Sequence, residues 1–133
     1  MIEDHLLLGY IASEETYEDR TVIIEEGSKG EWIFVVLEGR VKVKKKTEKG
    51  KVTLDTLKEG DIFGEMVLLE QRKGVRTASV VADGRVRVGV LDTQRVVRDY
   101  ESLSPQLKDL IRTLIVRLKE TTARVSAMAA GAD

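Results

Sequence analysis

Val80-Val81-Ala82-Asp83-Gly84-Arg85-Val86-Arg87-Val88-Gly89-Val90-Leu91 is the stretch from which the fold class follows. Val86, Val88 and Val90 alternate with Arg85, Arg87 and Gly89, so one face is apolar and the other polar or bare, as in a half-buried strand. Asp83-Gly84 has the residues of a two-residue turn and predicts a hairpin between Val80-Val81-Ala82 and the strand that follows. The same punctuation continues outward. Gly27, Gly39, Gly50, Gly60, Gly74 and Gly84 recur about every ten residues, the spacing of turns between short strands in a sandwich or barrel. Ile33-Val35-Leu37, Val41-Val43 and Val52-Leu54 alternate between them. The expectation is a mainly β roll over about 13–91 with enough inward Val, Ile and Leu for its own core.

Beyond Leu91 the apolar period lengthens to that of helices. A first helix is predicted over 93–101, capped by Asp92 or Thr93, with Val96, Val97 and Tyr100 facing inward. Ser104-Pro105 supplies a cap and a first-turn proline for a second helix over about 104–127. Leu107, Ile111, Leu114, Leu118, Thr121 and Val125 follow as a heptad seam, widened by Leu110 and Ile115. So long an apolar helix is expected to bury one side on the roll and another on a second copy, giving a homodimer. The alternative is a helix folded entirely onto its own roll.

Composition narrows the function classes. A chain of 133 residues suits a single domain, 1–133. With 22 basic and 23 acidic residues the formal charge is −1, so nucleic acid exerts no global attraction. Lys42, Lys44, Lys45, Lys46, Lys49 and Lys51 form one local basic run. On a hairpin about Gly50, Lys42 and Lys44 would face solvent with Val41 and Val43 inward, a guard against edge pairing rather than a binding patch. No stretch approaches the roughly 20 apolar residues of a membrane helix, and Leu6-Leu7-Leu8 follows Glu3 and Asp4 rather than a basic region, which points to a cytoplasmic protein without membrane contact. There is no cysteine, and His5 is the sole histidine. Thiolate or histidine metal sites, cysteine nucleophiles and Ser/His/Asp sets therefore have no support, nor is there a phosphate loop ending in Lys-Ser/Thr. No enzyme is expected.

The candidate site lies in Leu57-Lys58-Glu59-Gly60-Asp61-Ile62-Phe63-Gly64-Glu65-Met66-Val67-Leu68-Leu69, with Arg76-Thr77-Ala78 eleven residues after Glu65. A guanidinium offers planar paired donors that match two oxygens of an anionic ester, where a lysine would give a point charge. A carboxylate such as Glu65 stays ionised at neutral pH and accepts from a sugar hydroxyl. Gly64 to Leu69 reads as the start of a short helix, whose free N–H groups and positive dipole end favour phosphate. On their own, Arg72, Lys73 and Arg76 could equally be a solvated turn, and Phe63-Gly64-Glu65 a helix cap.

Taken with Val22-Ile23-Ile24-Glu25-Glu26-Gly27 and with Trp32 to Val43, these blocks recur in the order seen in cyclic nucleotide-binding domains. The chain resembles that family, which includes the bacterial catabolite activator and the regulatory subunits of cyclic-AMP-dependent kinase, from about Thr16 to about Val125. The resemblance implies a double-stranded β-helix, the jelly-roll-like cyclic nucleotide-binding β-roll, with a phosphate-binding cassette. The ligand would be cAMP or cGMP, with no further cofactor. Glu65 would hold the ribose, Arg76 the cyclic phosphate, and Thr77 would touch phosphate or base, with Phe63, Gly64, Met66, Val67 and Ala78 completing the cassette. Arg117 to Val125 is similar to the part of the activator's long helix whose paired hydroxyl residues contact the base, which assigns Thr121 and Thr122 to the nucleobase. A threonine hydroxyl bonding the preceding helical turn is the other reading. Two departures stand out: Val67 occupies a position that is usually small, and Gln71-Arg72-Lys73-Gly74 lengthens the interval from Glu65 to Arg76. No recognition helix fits in Ala127 to Asp133, so the expectation is a free-standing sensor, or one acting on another chain, unless the sequence is a fragment. A roll without ligand, serving as a protein-interaction or dimerisation module, is the alternative.

Overall fold

The computed structural model describes residues 9–65 and 75–129, the side chains of Thr122, Ser126 and Ala129 excepted. In chain order the elements are β1 (Ile11–Tyr17), β2 (Val22–Ile24), β3 (Phe34–Thr47), β4 (Gly50–Leu57), β5 (Ile62–Phe63), β6 (Ser79–Leu91), α1 (Thr93–Glu101) and α2 (Pro105–Ala129). All pairings are antiparallel, in the order β1-β6-β3-β4, with β2 on β6 and β5 on β3. The fold is thus a mainly antiparallel β-roll followed by a short and a long helix, as the sequence predicts.

The long strands β3 and β6 form the spine, and β3 is buried on both faces. Phe34, Val36 and Val41 enter the roll interior with Val80, Val86 and Val88, while Ile33, Val35 and Leu37 pack on the opposite side against Leu91, Tyr10, Ile11 and Val96. This explains the unbroken apolar run from Ile33 to Leu37, because a strand covered on both sides loses its polar face. Phe34 stacks on Phe63 of β5 with centroids 4.8 Å apart, which ties the entry to the candidate site to the core.

The hairpin predicted at Asp83-Gly84 does not form. β6 runs straight through these residues, and the register passes from Glu38↔Arg87 to Arg40↔Asp83, so three residues of β6 face Gly39 alone. The extra residues bend both strands at one corner of the roll. Gly39 is required there: its φ is +91°, and an added Cβ would sit 2.6 Å from the Arg85 carbonyl oxygen. Gly84 also has positive φ, and its N–H donates to Asp19 Oδ1 over 2.7 Å. Gly27 and Gly60 lie in turns and Gly50 directly follows one, whereas Gly39 and Gly84 lie within strands.

The lysine hairpin turns through Glu48 and Lys49, with Thr47 paired to Gly50 and Lys46 to Lys51. Val41 is fully buried and Val43 packs on the core. Lys42 and Lys44, read from the sequence as solvated, are half-buried, since a bulge between Val43 and Lys44 breaks the simple alternation.

Asp92 caps α1 by accepting from the Arg95 N–H at 3.2 Å, and Tyr100 is buried with its hydroxyl donating to the Lys108 carbonyl at 3.0 Å. Ser104 Oγ caps α2 through the Leu107 N–H. α2 rests on β4 and β3. Of its apolar residues Ile115 is buried, while Leu107, Leu110, Leu114 and Leu118 are 44–54% exposed. No helix among the described residues is long and apolar enough to cross a membrane.

Candidate functional site

β5 carries the chain from the core to Gly64 and Glu65, and the chain returns at Val75 to Ser79 to begin β6. Between these two segments, the β4 strand and α2 lies a cavity of about 550 Å³, within the ~300–1,000 Å³ range of small-molecule sites. Phe63, Gly64 and Glu65 line one side, Arg76, Thr77 and Ala78 another, and Leu118, Thr121 and Val125 of α2 close it from above. Seven of the residues singled out from sequence thus share one hollow: Phe63, Gly64, Glu65, Arg76, Thr77, Ala78 and Thr121. Met66 and Val67, the Gln71 to Gly74 stretch and His5 lie outside the described residues, as does the Thr122 side chain.

Arg76 is 9% exposed, and its guanidinium is oriented by main-chain carbonyls. Nη2 donates to the Trp32 carbonyl at 2.8 Å and Nη1 to the Gly64 carbonyl at 3.2 Å. A guanidinium has five N–H donors, and these two bonds use two of them. Gly64 makes this approach possible, with φ +86° and room for no side chain: a Cβ would meet the Trp32 carbonyl oxygen at 2.6 Å and Arg76 Nη1 at 3.1 Å.

Glu65 is half-buried. Burial pushes its carboxyl pKa up, against the opposing pull of its own backbone N–H and of Arg76. Burial lowers the Arg76 pKa, and Glu65 opposes that shift. The two groups feel each other's charge, yet no ion pair joins them among those the described residues form. The result is a buried guanidinium and a half-buried carboxylate lining one cavity. That arrangement can take a molecule carrying a singly charged oxyanion close to a hydroxyl group. No group of His, Cys, Asp or Glu among the described residues could hold a metal ion.

Several contributors are invisible from the sequence reading. The carbonyls of Trp32 and Gly64 are main-chain groups with no residue signature. Gly30 leaves room for the guanidinium, since a Cβ there would lie 3.1 Å from Nη2. Leu118 and Val125, by contrast, flank Thr121 at steps of three and four, so the heptad spacing that singles out Thr121 already places them on its face. Lys45, grouped with solvated lysines, donates to the Thr77 carbonyl at 2.6 Å.

Comparison with known proteins places the chain in a family. The family model of the cyclic nucleotide-binding domain matches residues 14–100. The chain is 34% identical over 106 residues to the cGMP-dependent protein kinase egl-4 of Caenorhabditis elegans, covering 74% of this chain and 13% of the kinase. It is 38% identical over 79 residues to a cAMP-dependent protein kinase regulatory subunit of Yarrowia lipolytica, covering 59% of this chain and 20% of that subunit. Among solved structures, the EAL enzyme Bd1971 in its cAMP- and cyclic-di-GMP-bound form superposes with a TM-score of 0.76 at 30% identity, over 89% of this chain and 31% of that one. The Thermus thermophilus catabolite activator protein gives 0.69 at 27% identity, over 93% and 57%. The chain therefore belongs to the cyclic nucleotide-binding domain family, whose members are regulatory domains. It spans about an eighth to a fifth of the length of these curated relatives.

Proposed function

We propose that this domain senses cAMP or cGMP in the cavity between Glu65, Arg76 and Thr121, and passes occupancy on through α2. The observation that carries the reading is the buried Arg76 fork and the Glu65 carboxylate lining the same hollow. Arg76 would donate to the equatorial oxygens of the cyclic phosphate, Glu65 would accept from the ribose 2′-hydroxyl, and Thr77 would touch phosphate or base. Thr121 supports a base contact because it lines the cavity from α2; Thr122 is proposed beside it from the sequence alone. Met66 and Val67 would complete the phosphate cradle with main-chain N–H groups.

The same geometry supports a switch. Leu118, Thr121 and Val125 close the cavity, so a ligand that fills it and draws Glu65 and Arg76 together acts directly on the underside of α2. It shifts the helix only as far as it prefers the closed arrangement. The exposed leucines of α2 support a homodimer through that helix, whose pairing would respond to the shift. The domain would be non-catalytic and cytoplasmic, regulating a protein partner. Neither nucleic acid nor membrane would take part.

Thermal unfolding tests the reading. A ligand that binds only the folded state at about 100 times its Kd stabilises by about 2.7 kcal/mol, so saturating cAMP or cGMP raises the melting temperature of the native chain. Arg76→Ala abolishes the rise. Melting curves unmoved by both nucleotides would leave the roll as an interaction module.

A further inference from the structure

Lys45 belongs to a run of surface lysines, but it is not arranged like the others. Its Nζ donates to the Thr77 carbonyl at 2.6 Å and lies 3.2 Å from Glu26 Oε2, with the Lys45 side chain 30% exposed. Glu26 is itself fixed from two directions: Oε1 accepts from the Lys46 N–H at 2.9 Å, and its own N–H donates to the buried Ser79 Oγ at 2.9 Å. The neighbouring turn adds main-chain bonds, from the Gly27 N–H to the Arg76 carbonyl and from the Arg76 N–H to the Ser28 carbonyl, both 2.8 Å. The segment from Arg76 to Ser79 is therefore gripped on one side by β3 and the turn after β2. On its other side Thr77 and Ala78 line the cavity.

A partly solvated ion pair of this kind adds about 0–1 kcal/mol to stability. Its consequence is geometric. The Thr77–Ala78 peptide is planar and trans, so the carbonyl held by Lys45 and the Ala78 N–H point in opposite directions, and fixing one fixes the other. Thr77 and Ala78 are the residues on either side of that plane, so its orientation bears on how both face the cavity. Binding groups need to stay within about 0.5 Å of their productive positions, which a segment held by loop contacts alone does not achieve.

The geometry points to Lys45 as a positioning residue for the nucleotide site, with Glu26 holding Lys45 in place. This role rests on the function proposed above. It assigns part of the affinity to an ammonium group that touches no ligand and lies on the outer side of the segment.

The experiment compares the full native chain with Lys45→Met, Lys45→Arg and Glu26→Gln. Calorimetric Kd values for cAMP and cGMP, amide hydrogen exchange of Thr77 to Ser79 in the empty protein, and melting temperature are read for each. Lys45→Met raises both Kd values about tenfold, because the Thr77 carbonyl loses the contact that fixes it before the ligand arrives, and speeds exchange at Ala78 by a similar factor. Its melting temperature stays close to the native value. Lys45→Arg restores most of the affinity, and Glu26→Gln falls between. A Lys45→Met protein with native Kd, or with native exchange at Ala78, overturns the role. So does an affinity loss that tracks a fall in melting temperature and is not rescued by arginine. A native chain that binds neither nucleotide defeats the site reading and this role with it, and that outcome is told apart because the exchange experiment requires no ligand.

Discussion

β3 and α2 are both rich in aliphatic residues, and they spend them differently. β3 buries Phe34, Val35, Val36, Leu37 and Val41 on two faces, whereas α2 buries Ile115 and leaves Leu107, Leu110 and Leu114 about half exposed. The strand is locked by neighbours on every side. Among the described residues the helix rests on β4 and β3, and three of its residues line the cavity. In the proposed switch the buried strand would position the site and the more exposed helix would report on it. Elements that move on ligand binding are drawn from the least buried parts of a fold.

That contrast can be broken most forcefully in the core. Phe34→Ala removes a ring stacked on Phe63 and should cost about 3–5 kcal/mol in chemical unfolding. Leu110→Ala on α2 should cost about 0.5 kcal/mol or less in the monomer, since the residue is 54% exposed. Comparable costs at the two sites would mean that the helix is as tightly held as the strand.

Glu65 sharpens the comparison from the site's side. Burial raises its carboxyl pKa above the unfolded value. A carboxyl of that kind favours the folded state below its unfolded pKa, and this contribution is lost as pH rises through the folded pKa. The empty native protein should therefore lose stability as pH climbs out of the carboxylate range, and Glu65→Gln should flatten that slope. At neutral pH the empty variant should be at least as stable as the native chain, while its affinity for cyclic nucleotide falls about tenfold through one lost charge-assisted hydrogen bond. Urea titrations across pH, paired with binding isotherms, check both halves.

The smallest effect expected on folding carries information on assembly. Leu114→Glu sits on the exposed seam and should barely change the melting of a monomer, yet it would dissociate a dimer built on α2. Sedimentation equilibrium that is identical for variant and native chain would remove the dimer.

The roll and the caps were legible because each leaves a local mark, alternation for the strands and Asp92 or Ser104-Pro105 before the helices, whereas the pairing of Glu65 with Arg76 came from the family resemblance. What escaped depends on partners distant in sequence. Asp83-Gly84 has turn residues, but whether it reverses the chain or bulges is decided by Gly39 on the facing strand. Ile33-Val35-Leu37 alternates in the sequence as an inward face, yet Phe34 and Val36 enter the roll interior while Ile33, Val35 and Leu37 pack on the other side, because both faces are covered. The Trp32 carbonyl that aims Arg76 is a main-chain group, and any residue could supply it. Lys45 differs from its neighbouring lysines only through Glu26 and Thr77, far from it along the chain.

Calorimetric titration of cAMP and cGMP into the native chain and into Arg76→Ala is the most direct test of a buried guanidinium and a carboxylate acting on one ligand. The account predicts saturable binding of at least one nucleotide by the native chain, weakened about 100-fold or more in the variant as a buried charged donor is lost. Binding of equal strength by the two proteins, or heatless titrations of the native chain with both nucleotides, would contradict it.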